Sequence, residues 1–204
     1  MYSYIFDIGG VLIRYDNKTL IEILAQRSGL EYVSIEKLFM HDCLYPIETG
    51  RISCQDFYKN HVMEVISDIS YEDWIGVFFE HFTENPVGME LLLKLKKAGN
   101  DVYILSNLAE FHKIAIERKV PGFFSLCKKN FLSYELGYHK PEAEIYQEVC
   151  KGIGKSPANC VLFDDLRTNI EGAEKAGLIG IQFSNNEIKS IVEKIHKLDR
   201  NTVI

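Results

Sequence analysis

The sequence is short of several things, and each shortage excludes a class of protein. Its 204 residues include only five cysteines, Cys43, Cys54, Cys127, Cys150 and Cys160, scattered and without a CxxC pair. That spacing fits neither a zinc knuckle nor a disulfide framework. No apolar run approaches the ~18 residues a membrane span requires. The N-terminal MYSYIFDIGG has no basic n-region and is broken by Asp7, so it does not read as a signal peptide. Repeats, charge runs and low-complexity tracts are absent. Basic residues are outnumbered, 23 Lys+Arg against 29 Asp+Glu, for a net charge of −6. Nucleic-acid binding, which rests on a basic surface, is therefore not expected. Scattered thiols without a leader predict a reducing, cytoplasmic setting and no membrane partner.

What is present looks globular. Hydrophobic residues make up 47% and charged residues 25%, which excludes disorder. The length suits one core with at most a small insertion. Short apolar runs at 2–8, 102–105, 161–163 and 179–183 predict buried strands, with helical patterns between them. One helix is expected from Pro86 to a stop at Gly99, one from Pro141 to Gly152 and Gly154, and one from Thr168 to Ala176 before Gly177. Such alternation predicts an α/β fold with a parallel sheet and helices on both faces. Residues 17–85 differ, offering helical patterns and no convincing strand. They are too long for a plain connection. The expected division is an α/β core of residues 1–16 and 86–204 and a small inserted helical cap, 17–85, acting as a lid. Trp74 and Phe78-Phe79 read as the core of those helices rather than as a binding box.

Open parallel sheets bind ligands beyond the carboxyl ends of their strands, and polar residues stand at those ends here. Asp7 lies in FDIGGVL, Ser106-Asn107 closes VYILSN, Asp164-Asp165 closes VLFDD, and Lys140 lies in GYHKPEAEIY. Taken singly, these read as a turn aspartate, a helix N-cap, a strand-end turn and a solvated lysine. Taken together they predict a phosphoryl-transfer site. An aspartate can attack phosphorus and form an aspartyl-phosphate. Bringing anion to anion requires neutralisation, which Mg²⁺ supplies through oxygen ligands. Asp7, the Gly9 carbonyl and Asp165 are suitable ligands. Lys140 would hold a phosphate oxygen and offset Asp7, while Ser106 and the Asn107 N–H would bind the remaining oxygens.

On these motifs the whole chain resembles the haloacid dehalogenase-like hydrolase superfamily. FDIGGVL matches its first motif, ILSN its second, the lysine of HKPE its third and FDDLRTN its fourth. The stretches LSYELGYHKPEAEIYQEV and VLFDDLRTNIEGAEKAGL are similar to the glucose-1-phosphate phosphatase branch. The resemblance implies a Rossmann-like core with a helical cap. It implies Asp7 as nucleophile, Asp165 as a Mg²⁺ ligand, Asp164 as its acidic catalytic neighbour, and Ser106, Asn107 and Lys140 as the phosphate site. Asn169 stands where many relatives carry a further acid, either binding a metal-bound water or orienting Asp165.

One departure matters. Most phosphatases of this superfamily carry a second aspartate, a general acid and base, where this chain has Gly9. The glucose-1-phosphate branch shares the glycine, so inactivity does not follow, but water must then supply the proton transfer. The expected function is a magnesium-dependent phosphatase of a small phosphorylated metabolite. A sugar phosphate is expected, and a sugar 1-phosphate suits the missing acid because its leaving oxygen is the more acidic. The alternatives are a metal-independent 2-haloacid dehalogenase, which also lacks the second aspartate, and a non-catalytic phosphate-binding or regulatory protein. The chain is expected to act as a monomer or homodimer. Asp16 and the segment Glu48–Ser53 are candidates to face the site. Arg51 is either a specificity residue or a solvated cap residue.

Overall fold

The structure is a computed structural model that describes residues 2–199 and 202. Strand β1 (Ser3–Phe6) is followed by the two-residue strands β2 (Ile13–Arg14) and β3 (Thr83–Glu84), which pair antiparallel with each other. Strands β4 (Asp101–Ser106), β5 (Asn130–Leu132), β6 (Cys160–Asp164) and β7 (Ile179–Gln182) join β1 in a parallel sheet of order β5-β4-β1-β6-β7.

All four residues of β1 are buried because both faces of the sheet are covered. Tyr4 and Phe6 share one core with Ile104, Phe163 and the helices Pro86–Lys97 and Ile188–Leu198. Ile5 points the other way, packing with Leu105, Leu162 and the helices Ala143–Ile153 and Arg167–Lys175. Strands buried on both sides read as continuous apolar runs, which is why β1, β4 and β6 were legible. The expected α/β class, with helices on both faces, is what the chain adopts.

Between β2 and β3 the chain is helical, with its longer helices at Asn17–Ser28, His41–Glu48 and Tyr71–His81. Trp74 and Phe78 are buried with Leu20, Leu24 and Phe57, whereas Phe79 is exposed under the Lys119 ammonium. Asn85 ties this segment back to the sheet. Its backbone N–H donates to the Leu12 carbonyl at 2.8 Å, and its side-chain amide donates to Val11 O and Asn185 Oδ1, both at 2.9 Å. Gly88, in the helix that follows, lies so close to this turn that a Cβ would sit 1.9 Å from the Val11 carbonyl oxygen.

Several elements differ from expectation, the short strand β2 among them. Thr83–Glu84 is a strand inside the stretch expected to have none; both residues are exposed, so backbone pairing alone makes it and no apolar pattern marks it. Strand β5 is a three-residue edge, too short to show a period. The helix expected from Pro141 begins at Ala143, because Glu142 keeps an extended backbone as its N-cap and donates to the His139 carbonyl at 2.8 Å. Among the described residues all five cysteines are free thiols, and no helix is long and apolar enough to cross a membrane.

Candidate active site

Strand β1 sits mid-sheet. From it the chain runs outward through β4 and β5 on one side, then crosses back to β6 and β7 on the other. Such a reversal opens a crevice beyond the strand ends, and the polar residues converge there. The Asp7 N–H extends the ladder by one step, donating to Phe163 O at 2.9 Å and setting Asp7 beside Asp164 at the end of β6. Ser106 ends β4 on the other side of β1. The loop after Asp7 turns at Gly10, with φ of 69°, where a Cβ would lie 2.3 Å from an Asp165 carboxylate oxygen. Only glycine permits that approach.

Lys140 is 2% exposed, and its ammonium lies 3.0 Å from Asp7 Oδ1 and 2.5 Å from Asp164 Oδ2. It also donates to the Leu105 carbonyl at 3.2 Å. Burial opposes its charge, but Asp164 and Asp7 outweigh that and hold its pKa above the ordinary lysine value. Burial raises the Asp7 pKa; Lys140 opposes this and Asp164 adds to it. Asp165 is raised too, by burial and then by Asp164.

Asp164 is fully buried and saturated with donors: Lys140, the Leu166 N–H at 2.9 Å, and the Asn169 amide at 3.0 and 3.1 Å from its two oxygens. Asn169 thus braces Asp164 and not Asp165. Asn107 is a clamp on the lysine backbone. Its Oδ1 accepts from the Lys140 N–H at 2.8 Å and its Nδ2 donates to the Lys140 carbonyl at 2.9 Å. The following helix begins only at Glu110, so Ser106-Asn107 lies upstream of it rather than at its N-cap. The intervening loop is held by the Leu108 N–H, which donates to Ser133 Oγ at 3.0 Å.

Asp7, Asp164 and Asp165 offer oxygens that all lie within 4.8 Å of one another. Three carboxylates against one ammonium would repel a phosphate dianion, and an oxygen-only donor set suits a hard divalent cation such as Mg²⁺. With Asp164 committed to other donors, Asp7 and Asp165 are the carboxylates that fit the ion. Above them is a cavity of about 150 Å³. Asp7, Ser106 and Asp165 from the strand ends and Lys140 from the loop before the helix Ala143–Ile153 line one side, and Leu20, Phe39, Leu44, Glu48 and Phe78 line the other from the helical segment.

The sequence model of the haloacid dehalogenase-like hydrolases matches residues 3–177. The chain belongs to that family. This hydrolase is 26% identical over 196 residues to a D-ribitol-5-phosphate phosphatase of Bacteroides thetaiotaomicron, covering 90% of this chain and 92% of the relative. A phosphatase of Mycobacterium tuberculosis is 24% identical over 186 residues, covering 86% of this chain and 84% of the relative. Among solved structures, a family enzyme of Bacteroides thetaiotaomicron in complex with magnesium and inorganic phosphate superimposes with a TM-score of 0.80. Its identity is 25%, with 92% of this chain and 96% of that chain covered.

Two candidates fall outside the hydrolase's cavity. Asp16 caps the helix Asn17–Ser28, accepting from the Lys18 and Thr19 N–H groups at 3.2 and 3.1 Å. Arg51 stacks 4.7 Å over the Tyr45 ring and donates to its hydroxyl, so packing on its own segment holds it away from the site. Of the segment 48–53, Glu48 alone lines the cavity. It pairs with His139 Nε2 at 2.9 Å, tying the helical segment to the residue before Lys140. Two titratable lining residues carry no signal in the sequence. His112 hides within a helical pattern, and Tyr15 lies eight positions beyond Asp7, where only the returning loop brings it over the site.

Proposed function

We propose that this hydrolase is a magnesium-dependent phosphatase of small phosphorylated metabolites that works through an aspartyl-phosphate on Asp7. The observation that carries the reading is the Asp7 carboxylate itself, at a strand end, on the cavity wall, beside Asp165 and fixed by Lys140 at 3.0 Å. Mg²⁺ held by Asp7, the Gly9 carbonyl and Asp165 supplies the charge that lets a phosphate approach. Lys140 and the Ile8 N–H, which donates to Asp7 Oδ1 at 2.7 Å, fix the plane of the attacking carboxylate. Asp164, braced by Asn169, keeps Lys140 charged and in place. Ser106 and the Asn107 N–H hold the phosphoryl oxygens, and Lys140 reaches them with the N–H that otherwise donates to the Leu105 carbonyl. Residues 17–85 form the cap over a core of 1–16 and 86–204, and close on the leaving group to exclude water.

The substrate class is a sugar or alditol phosphate. The named relative supports a 5-phosphate of an alditol, and Gly9 supports a 1-phosphate, whose leaving oxygen needs less proton assistance. Hydrolysis of an aryl phosphate with and without Mg²⁺, in the parent and in Asp7→Asn, tests the mechanism. The expected outcome is Mg²⁺-dependent turnover that falls by several orders of magnitude in the variant. Robust turnover by Asp7→Asn would remove the aspartyl-phosphate. Chloride release from a 2-haloacid without metal would put dehalogenation in its place.

A further inference from the structure

Gly9 leaves no side chain beside the nucleophile, yet the space is not empty. A Cβ built on Gly9 would lie 2.6 Å from Tyr15 Cε1 and 3.3 Å from the Tyr15 hydroxyl oxygen. The carboxylate oxygens of an aspartate lie two bonds beyond its Cβ, so the phenol oxygen occupies their neighbourhood. A side chain at position 9 would therefore displace the Tyr15 ring from the place it occupies here. Tyr15 follows directly on β2, which the ladder to β3 fixes, and its ring meets Phe82 edge-on with centroids 6.0 Å apart. It is on the wall of the cavity that holds Asp7, Ser106 and Lys140.

Resting on the phosphatase reading, we propose that the Tyr15 hydroxyl takes the place of the missing side-chain acid by donating a hydrogen bond to the ester oxygen of the leaving group. As an Asp7 oxygen bonds to phosphorus, the phosphorus–ester oxygen bond breaks and its electron pair passes to the ester oxygen. The Tyr15 O–H stabilises that developing charge. A water molecule gives the departing alkoxide its proton, and the resulting hydroxide attacks the phosphorus of the aspartyl-phosphate, releasing phosphate and restoring Asp7. An ordinary phenol, with a pKa near 10, is a donor at neutral pH. Burial pushes Tyr15 higher still.

A ring that merely fills space would serve equally well without its hydroxyl, so Tyr15→Phe separates the two roles. The measurement is kcat/KM for an alkyl phosphate, ribitol 5-phosphate, and for 4-nitrophenyl phosphate, in the parent and in Tyr15→Phe. A poor alkoxide needs the donor and a nitrophenolate does not. The ratio of alkyl to aryl kcat/KM should therefore fall by roughly 30-fold or more in the variant, in keeping with the ~10²–10³-fold worth of one well-aimed donor. The loss should sit in kcat rather than KM. An unchanged ratio with the parent active on both esters would overturn the role of Tyr15 and leave the phosphatase reading standing. A parent that hydrolyses neither would overturn both.

Discussion

Lys140 is the residue on which the site turns. It is enclosed between Asp7 and Asp164, with its chain held at both backbone ends by Asn107. Removing one partner from a buried ion cluster typically costs about 3–5 kcal/mol, because the remaining charges stay buried without a counter-ion. Lys140→Met keeps the length and loses the charge. It should lower unfolding stability by about that amount and abolish detectable phosphate ester hydrolysis, as read by urea titration and by initial rates. The candidate site residues stood out because they lie where apolar runs end, as Asp7, Ser106 and Asp164 do. Their partners were not. That Asn169 grips Asp164 rather than Asp165, or that Tyr15 returns over Gly9, depends on approaches across the crevice that no spacing encodes.

The helix Glu110–Lys119 shows what one element contributes to both shape and pH response. His112, in its first turn, accepts from the Ala109 N–H through Nδ1 at 3.1 Å, and burial lowers its pKa to about 4. The unfolded chain takes up this proton near pH 6.5, before the folded chain does, so stability drops as pH falls from about 6.5 and levels off below about 4. The expected loss across that window is about 3 kcal/mol. His112→Asn offers an acceptor and does not titrate. Thermal midpoints recorded from pH 7 to 4 should therefore decline less steeply in the variant. Long helices such as Pro86–Lys97 were readable from their apolar stripe and proline start. The pairing of β2 with β3 was not, because two-residue strands carry no period.

At the scale of the molecule, a cation that binds only the folded chain stabilises it by mass action. The thermal midpoint should rise with added Mg²⁺, should cease to respond in Asp165→Ala, and should keep most of its response in Asn169→Ala, whose amide serves Asp164. Calorimetry across a Mg²⁺ titration reads this without any substrate. The order of the sheet has a further consequence, for how the chain is made. Residues 3–6, the middle strand, pair with 101–104 and with 160–163. At the ordinary pace of translation, the strand emerges on the order of ten seconds before its second neighbour has been synthesised. Throughout that interval SYIF, wholly buried in the finished fold, has an unpaired edge exposed to solvent. Pairings this distant in sequence slow folding. The strand that leads into Asp7 is therefore the one most at risk of aggregation while the protein is being synthesised.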